Sequence, residues 1–525
     1  MNLKYVYLLF LLIWLWNINH VQADQGLVDA VKNKDSLKIN KLLNENVDVN
    51  QVHPDGATAL AWAAYWNDLI TAEKLIRAGA TPDMANDYGV TPLMLACNNG
   101  SAEMVSRLLE ARADPNQRQW MGITPLMFCA RSGNVVAVNE LLLQGADPNA
   151  RDEQRGQTAL MWAASRQQHD VVRALTEYGA NPDLVTRKPD GFTEREFITY
   201  GINYRDPTRP DEIGNDDVHP EYTSSRGGFT ALMFAARKGD TEMTRLLVGA
   251  GADINIESDE YGNALLVAVL NSNNDTALYL LEQGSNPNVQ DRWGFTPLHY
   301  ALFDGIVSIS MSRARIPSDE IWLRPNMPEV VASLLTHGAD PNATVGQGIP
   351  PFNYPAFART TGNSMPEIRQ PGITPFLLAS ASLDVNLMQL LLDHGADPSL
   401  SSNEGTTSMM VAAGMGRQED LTADEQRSAL TAVRMTWEQG IDVNASNEDG
   451  RTALAAAAYH GADSVIKFLV EKGADLQAKD RYGQTALSIA MGKPYKITGA
   501  DKRFRRASLH QSSVDLLISL GADEN

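Results

Sequence analysis

The chain has 525 residues, of which 43% are hydrophobic and 21% charged, enough for several cores or one extended one. Its formal net charge of −20 at pH 7 argues against a general binder of nucleic acid or anionic lipid. Such binding rests on an excess of Lys and Arg, although local basic strips remain compatible with it.

The chain opens with "MNLKYVYLLFLLIWLWNINHVQADQ", in which a single Lys precedes an apolar run from Tyr5 to Trp16. Val21 and Ala23 suit the −3 and −1 positions of a signal-peptidase site, so residues 1–23 are expected to be a signal peptide cut after Ala23. The apolar run is about 12 residues, short of the roughly 20 that span a bilayer. An uncleaved anchor is the alternative. No Cys stands at the cut, which argues against a lipoprotein anchor, and nothing later is apolar for long enough to cross a membrane. The expectation is an exported chain, periplasmic or secreted, with no stable membrane span after cleavage.

From residue 56 onward one turn-plus-helix pattern recurs. It reads "GATALAWAA" at Gly56, "GVTPLMLAC" at Gly89, "GITPLMFCA" at Gly122, "GQTALMWAA" at Gly156 and "GFTALMFAA" at Gly228. It continues at Gly262, Gly294, Gly372, Gly405, Gly450 and Gly483. Most copies are followed about twenty residues later by "LLxxGADPN" or a close relative, giving a dominant period of about 33. Each residue type has a physical role. Gly permits a tight turn at positive φ. Thr caps the first helix, and Pro fits its first turn, where the missing N–H had no partner. Ala-Ala lets two helices approach closely, and Leu-Leu on the second helix faces the core. Gly ends that helix in the left-handed region, and Pro then prevents its continuation.

These motifs resemble the ankyrin-repeat family, with about eleven repeats after a degenerate capping pair at 24–50. The resemblance implies an all-α solenoid of helix-turn-helix units joined by β-hairpin-like loops. One repeat alone cannot bury its apolar face, so neighbours stack into a continuous core. Repeats are expected at 51–186, 227–345 and 371–525. They are interrupted by an acidic, polar insert at 187–226, a Pro- and aromatic-rich loop at 346–370, and insertions at 304–327, 414–426 and 492–508. The last holds "KPYKITGADKRFRR", a dense basic cluster. The chain is also similar to exported bacterial ankyrin-repeat proteins carrying such insertions. It departs from the family pattern where Met94, Met127, Met161 and Met233 replace the usual His, which His299 keeps. Arg112 stands where Gly is expected and predicts a strained helix end, and Asn263 takes a Thr place after a shortened turn.

Dedicated chemistry is sparse. The sequence has no His-Glu-x-x-His, Cys-x-x-Cys, Gly-x-Ser-x-Gly or P-loop, and neither a metal nor a cofactor is expected. His337 and His394 fall at helix C-termini, where imidazolium is favoured. The Asp residues of "GADPN" are expected to satisfy turn donors. Trp62 and Trp162 occupy a helix position expected to pack in the core. Cys97 and Cys129 fall at near-equivalent places in neighbouring first helices. Stacked helices lie about 8–10 Å apart, so both cysteines are expected to be unbridged apolar residues. Asn274, Asn342 and Asn444 carry the glycosylation pattern, which matters only in a eukaryote.

The resemblance implies protein binding through hairpin tips and the exposed ends of first helices. Carried over by position, the tips comprise Tyr88, Trp120, Met121, Tyr261, Trp293, Phe295 and Tyr482. Exposed aromatics there would be anchors, unless they pack on the next hairpin. The groove residues after Ala-Ala run Tyr65-Trp66, Asn98-Asn99, Arg131-Ser132, Ser165-Arg166 and Arg237-Lys238. The groove therefore starts aromatic and turns cationic, suiting an acidic partner segment with an apolar end. Ion pairing of these cations with hairpin Asp residues is the competing reading. The expected function is a non-catalytic, exported protein-binding scaffold whose partner is exported or envelope-associated. An enzyme site built from the insertions and a rigid envelope spacer are the alternatives.

Overall fold

A computed structural model describes residues 26–187, 227–310, 325–346, 371–417, 420–493 and 508–523. The expected signal peptide, nearly all of the 187–226 insert, most of the 346–370 loop and most of the basic 492–508 segment lie outside these residues. The chain divides into two compact units, residues 1–253 and 254–525.

Each unit is built from antiparallel helix pairs, and among the described residues no regular strand forms. The first unit begins with a short pair, α1 (26–32) and α2 (Ser36–Asn44). There follow α3 (Ala59–Tyr65) with α4 (Leu69–Arg77), α5 (Pro92–Asn98) with α6 (Ala102–Glu110), and α7 (Pro125–Ser132) with α8 (Val135–Leu143). Then come α9 (Ala159–Ser165) with α10 (His169–Glu177), and α11 (Ala231–Lys238) with α12 (Thr241–Gly249). The first helices of successive repeats stack on one another, α9 directly on α11, so the insert between them leaves the stack unbroken. Asp240 fastens that junction. It caps α12 through Met243 N (2.9 Å) while taking contacts from His169 Nε2 (3.0 Å) and Gln167 Nε2 (3.2 Å) of the preceding repeat. Burial alone would raise the Asp240 carboxyl, but these donors and the His169 charge hold it below the usual carboxylate range.

The second unit contains α13 (Ala264–Leu270) with α14 (Asn274–Glu282), α15 (Pro297–Ala301), α16 (Phe303–Ser310) and α17 (Pro328–Thr336). It continues through α18 (Pro375–Ser382) with α19 (Val385–Asp393) and α20 (Ser408–Ala412) with α21 (Ala423–Glu438). It ends with α22 (Ala453–Tyr459) and α23 (Asp463–Glu471), then α24 (Ala486–Ala490) and α25 (Gln511–Ser519). Two expected interruptions contribute helix. The stretch from 304 begins as α16, which packs on α18 so closely that a Cβ on Gly305 would strike the Leu378 carbonyl. Within 414–426, residues from 423 onward are the start of the long α21. Buried Arg417 holds that turn by donating to Glu425 Oε1 (2.9 Å) and the Ala381 carbonyl (2.8 Å).

The motif residues do what their chemistry requires. Thr58, Thr91, Thr124, Thr158 and Thr230 cap the first helices of the first unit by accepting from the backbone N–H three residues on. Each such cap contributes about 1 kcal/mol. Asn263 does the same for α13 through Leu266 N (3.1 Å). His299 forms a capping box with Thr296 and contacts the Ile373 carbonyl (3.2 Å). Full burial lowers its pKa to about 4, so it sits there neutral. Gly89 has φ +77°, and an added Cβ would come within 3.0 Å of Gln119 Cα in the next hairpin. That closeness explains the glycine and the backbone bonds between successive hairpins, such as Glu153 N to the Met121 carbonyl (2.8 Å).

"GADPN" encodes a ladder. Asp147 accepts from Asn149 N within its own turn (2.9 Å). Asn116 reaches the next repeat, donating to the Gly145 carbonyl (2.8 Å) and accepting from Asp147 N (2.8 Å). Asn342 and Asn444 occupy the same rung in the second unit, so their side-chain amides are already engaged. His337 and His394 cap α17 and α19, each contacting the carbonyl one turn back. Arg112 takes φ +68° at its helix end, the left-handed conformation its place in the repeat demands.

The cysteines differ from expectation. Cys97 on α5 and Cys129 on α7 form a disulfide, with Cα atoms 4.4 Å apart. The expectation used the axis-to-axis spacing of helices. Each Cα lies about 2.3 Å off its axis, so residues facing each other across an 8–10 Å packing come within roughly 3.4–5.4 Å. Only the small residues of the Ala-Ala site place them there.

Candidate partner-binding surface

In the first unit, one column of side chains follows the first helices, immediately before the Ala-Ala site. It reads Trp62, Leu95, Phe128, Trp162 and Phe234. Trp62 and Trp162 are half-buried and line this face instead of filling the core, which corrects the sequence expectation. Their indole N–H groups have no acceptor among the described residues. The alternation of Met and aromatic before Ala-Ala carries the signal. Met94, Met127, Met161 and Met233 point inward and are buried; of the residues that follow them, Leu95 and Trp162 are half-buried while Phe128 and Phe234 are buried.

The cations interleave with these rings. Arg131 lies over Phe128 and Trp162, its guanidinium carbon 5.4 Å from each ring centre, and donates to Asn98 Oδ1 (2.5 Å). Phe128 and Trp162 themselves meet edge-on at 6.3 Å. Arg237 lies 5.2 Å from the Phe234 ring centre. Arg131 thus engages two aromatic faces and an amide. Arg–aromatic stacking of this kind contributes roughly 0.5–2 kcal/mol and holds the guanidinium in one orientation. Arg166, which caps the end of α9, and Lys238, the last residue of α11, are exposed.

At the N-terminal end, Trp62, Tyr65 and Trp66 form one cluster. Tyr65 and Trp66 meet edge-on at 4.8 Å, and Trp62 lies 5.6 Å from Tyr65 and 6.3 Å from Trp66. Two lysines of the capping pair, absent from the sequence expectation, join it. Lys32 Nζ stands 4.9 Å from the Trp62 ring centre and Lys34 Nζ 4.2 Å from that of Trp66. Sequence reasoning missed them because they belong to the turn of a degenerate repeat with no recognisable motif.

The tip residues divide. Trp120 and Tyr88 are 61% and 49% exposed on successive hairpins of the first unit. Met121, Tyr261 and Phe295 are buried, which corrects their assignment to the tips. Phe295 follows the turn glycine and swings inward, stacking on Tyr300 at 5.2 Å. Trp293 and Tyr482 are half-buried, each covered by its neighbouring Arg292 or Arg481. Among the described residues the second-unit tips thus offer no aromatic cluster comparable to that of the first. Beneath them, Asp291 accepts from Tyr300 Oη (2.6 Å), Trp293 N and Phe295 N (2.9 Å each). Burial nevertheless raises its pKa to about 6.

Among the described residues no group of His, Cys, Asp and Glu is arranged to hold a metal ion, and no helix is long and apolar enough to cross a membrane. The surface brings together aromatic rings, oriented guanidinium groups and exposed ammonium groups on a repeat stack.

The molecule is thus a helical repeat scaffold with one aromatic and cationic face. Ankyrin-repeat descriptions match residues 27–119, 114–186, 213–291, 232–310 and 438–490, and the chain belongs to the ankyrin-repeat family. Ankyrin repeats are protein-interaction scaffolds. The chain is 27% identical over 311 residues to the E3 ubiquitin-protein ligase KEG of Arabidopsis thaliana, spanning 58% of this chain and 18% of that protein. It is 38% identical over 106 residues to the ankyrin repeat protein FPV031 of fowlpox virus, spanning 20% of this chain and 31% of that protein. An ankyrin repeat-containing protein of Treponema pallidum is 37% identical over 73 residues, 14% of this chain and 24% of that protein. The chain therefore spans less than a third of the length of each of these relatives.

Proposed function

We propose that the chain is an exported, non-catalytic scaffold that captures an acidic partner protein, itself exported or envelope-associated, on the aromatic and cationic face of its first unit. The observation that carries this reading is Arg131 held over Phe128 and Trp162, with Arg166 and Lys238 exposed on the next two first helices. A cationic strip on a chain of net charge −20 draws acidic segments and repels the rest of a like-charged surface, which favours one docking orientation. Tyr88 and Trp120 at the tips supply apolar anchors beside it. Export is supported by the apolar segment before Ala23 and by the Cys97–Cys129 bridge, since disulfides persist in oxidising compartments. No cofactor enters this reading.

The test is capture from the exported protein fraction of the source organism by wild type and by an Arg131→Glu, Arg166→Glu, Arg237→Glu variant in parallel. A partner held saturably by wild type and lost by the variant, with unchanged thermal melting, supports the groove. Equal capture by both places binding elsewhere.

A further inference from the structure

We propose that the cluster of Trp62, Tyr65, Trp66, Lys32 and Lys34 is a recognition site for an extended peptide that sets a carboxylate beside an apolar side chain. This rests on the scaffold reading and names the segment bound at the N-terminal end of the same face. Two observations carry it. First, two ammonium groups lie over two indole faces, and among the described residues neither has a carboxylate partner. On a chain with 64 Asp and Glu against 44 Lys and Arg, two adjacent uncompensated cations form a local positive site. A carboxylate placed between them completes the charge pairing.

Second, the rings are exposed yet fixed. Tyr65 and Trp66 both reach solvent. The Trp66 indole N–H donates to the Lys32 carbonyl oxygen (3.2 Å), while the Asn99 amide donates to the carbonyls of Tyr65 (2.6 Å) and Ala64 (3.2 Å). A Trp66 ring held this way, on a backbone fixed by Asn99, loses little freedom on binding an apolar side chain. Lys34 itself has φ +56°. Other repeats fill the equivalent turn with Gly100, Gly133 and Gly239 or with Asn67, Gln167, Ser272 and Leu383, so the turn accepts either a lysine or a glycine. A phospholipid or nucleic-acid surface fits less well. Either needs a broad basic field, and the net charge of the chain opposes both.

The experiment measures fluorescence anisotropy of a short fluorescein-labelled peptide alternating Glu and Leu, titrated with the full chain. Gln–Leu and Lys–Leu peptides and phosphatidylserine vesicles are run beside it. A Lys32→Gln, Lys34→Gly variant removes both ammonium groups. The glycine suits the left-handed turn, so folding is not the weak point, and thermal melting checks it. The expected result is saturable binding of the Glu–Leu peptide that salt weakens, with roughly tenfold lower affinity in the variant and for the Gln–Leu peptide. Equal binding by wild type and variant overturns the proposal, as do equal affinity for Glu–Leu and Gln–Leu, no binding, or preference for vesicles. An Arg131→Glu, Arg166→Glu variant separates the two readings. Loss of the peptide in that variant alone overturns this site and leaves the scaffold standing.

Discussion

Replacing Cys97 and Cys129 together by Ala tests how much one covalent link contributes to a stack otherwise held by small contacts. Alanine is the right replacement, because Ala64 and Ala130 hold the place of Cys97 in adjacent repeats and Ala96 and Ala163 that of Cys129. All four are fully buried, so the fold accepts the smaller side chain at this site. The bridge spans 32 residues of sequence, and closing a loop of that length in the unfolded chain corresponds to about 3.7 kcal/mol at 25 °C. For a unit of this size, that loss lowers the melting temperature by roughly 7–15 °C. Urea unfolding followed by tryptophan fluorescence reports on this unit through Trp62, Trp66, Trp120 and Trp162, over a signal from Trp293, Trp322 and Trp437 of the second unit that all samples share. Oxidised wild type, wild type reduced while unfolded, and the double variant are compared. Reduced wild type and the variant should shift together. Two titratable thiols in unfolded, unreduced protein would refute the bridge. A variant unfolding at the same urea concentration as oxidised wild type would refute the energetic reasoning.

Arg112→Gly should stabilise the first unit by about 0.5–1 kcal/mol, relieving a left-handed residue that costs roughly 1–2 kcal/mol against glycine's extra unfolded freedom. The urea midpoint checks it, and the equivalent Gly79 and Gly145 meet nothing within 4 Å, so no packing change competes. Asp291→Asn tests a buried carboxyl. Its folded pKa of about 6 lies above the ordinary 3.8, so its favourable contribution is complete below pH 4 and lost as pH rises through 6. The asparagine variant should therefore gain on wild type between pH 4 and pH 7, by at most about 3 kcal/mol. Parallel melts across that range measure it, and a constant difference would refute the shift. Asn86 and Asn447 already accept the same turn N–H groups in other hairpins, so the turn is kept; the bond from Tyr300 Oη is lost at every pH and leaves the pH dependence as the readout.

The repeated residues are local in their action, which is why they are readable in sequence. Thr158 caps the helix that begins one residue later, Gly89 turns its own hairpin, and Arg112 is strained by its own backbone angle. The ladder asparagines are nearly as legible, because their partners recur one period away. The candidate binding face is less so. Arg131 and Arg166 were placed by period alone, but period does not say whether a guanidinium meets carboxylates, rings or solvent.

The sequence by itself determined the repeat, its caps and turns, and which residues each copy varies. Those follow from backbone sterics and helix-end hydrogen bonding, both settled within a few residues. The tertiary structure alone decided what touches across copies. It joined Cys97 to Cys129, because facing Cα atoms approach far more closely than helix axes do. It turned Phe295 and Met121 inward and Trp62 outward, and it carried Lys32 and Lys34 from a motif-less turn onto the rings of the next repeat. Side-chain direction and the distance between repeats are properties of the stack, and no single copy of the motif contains them.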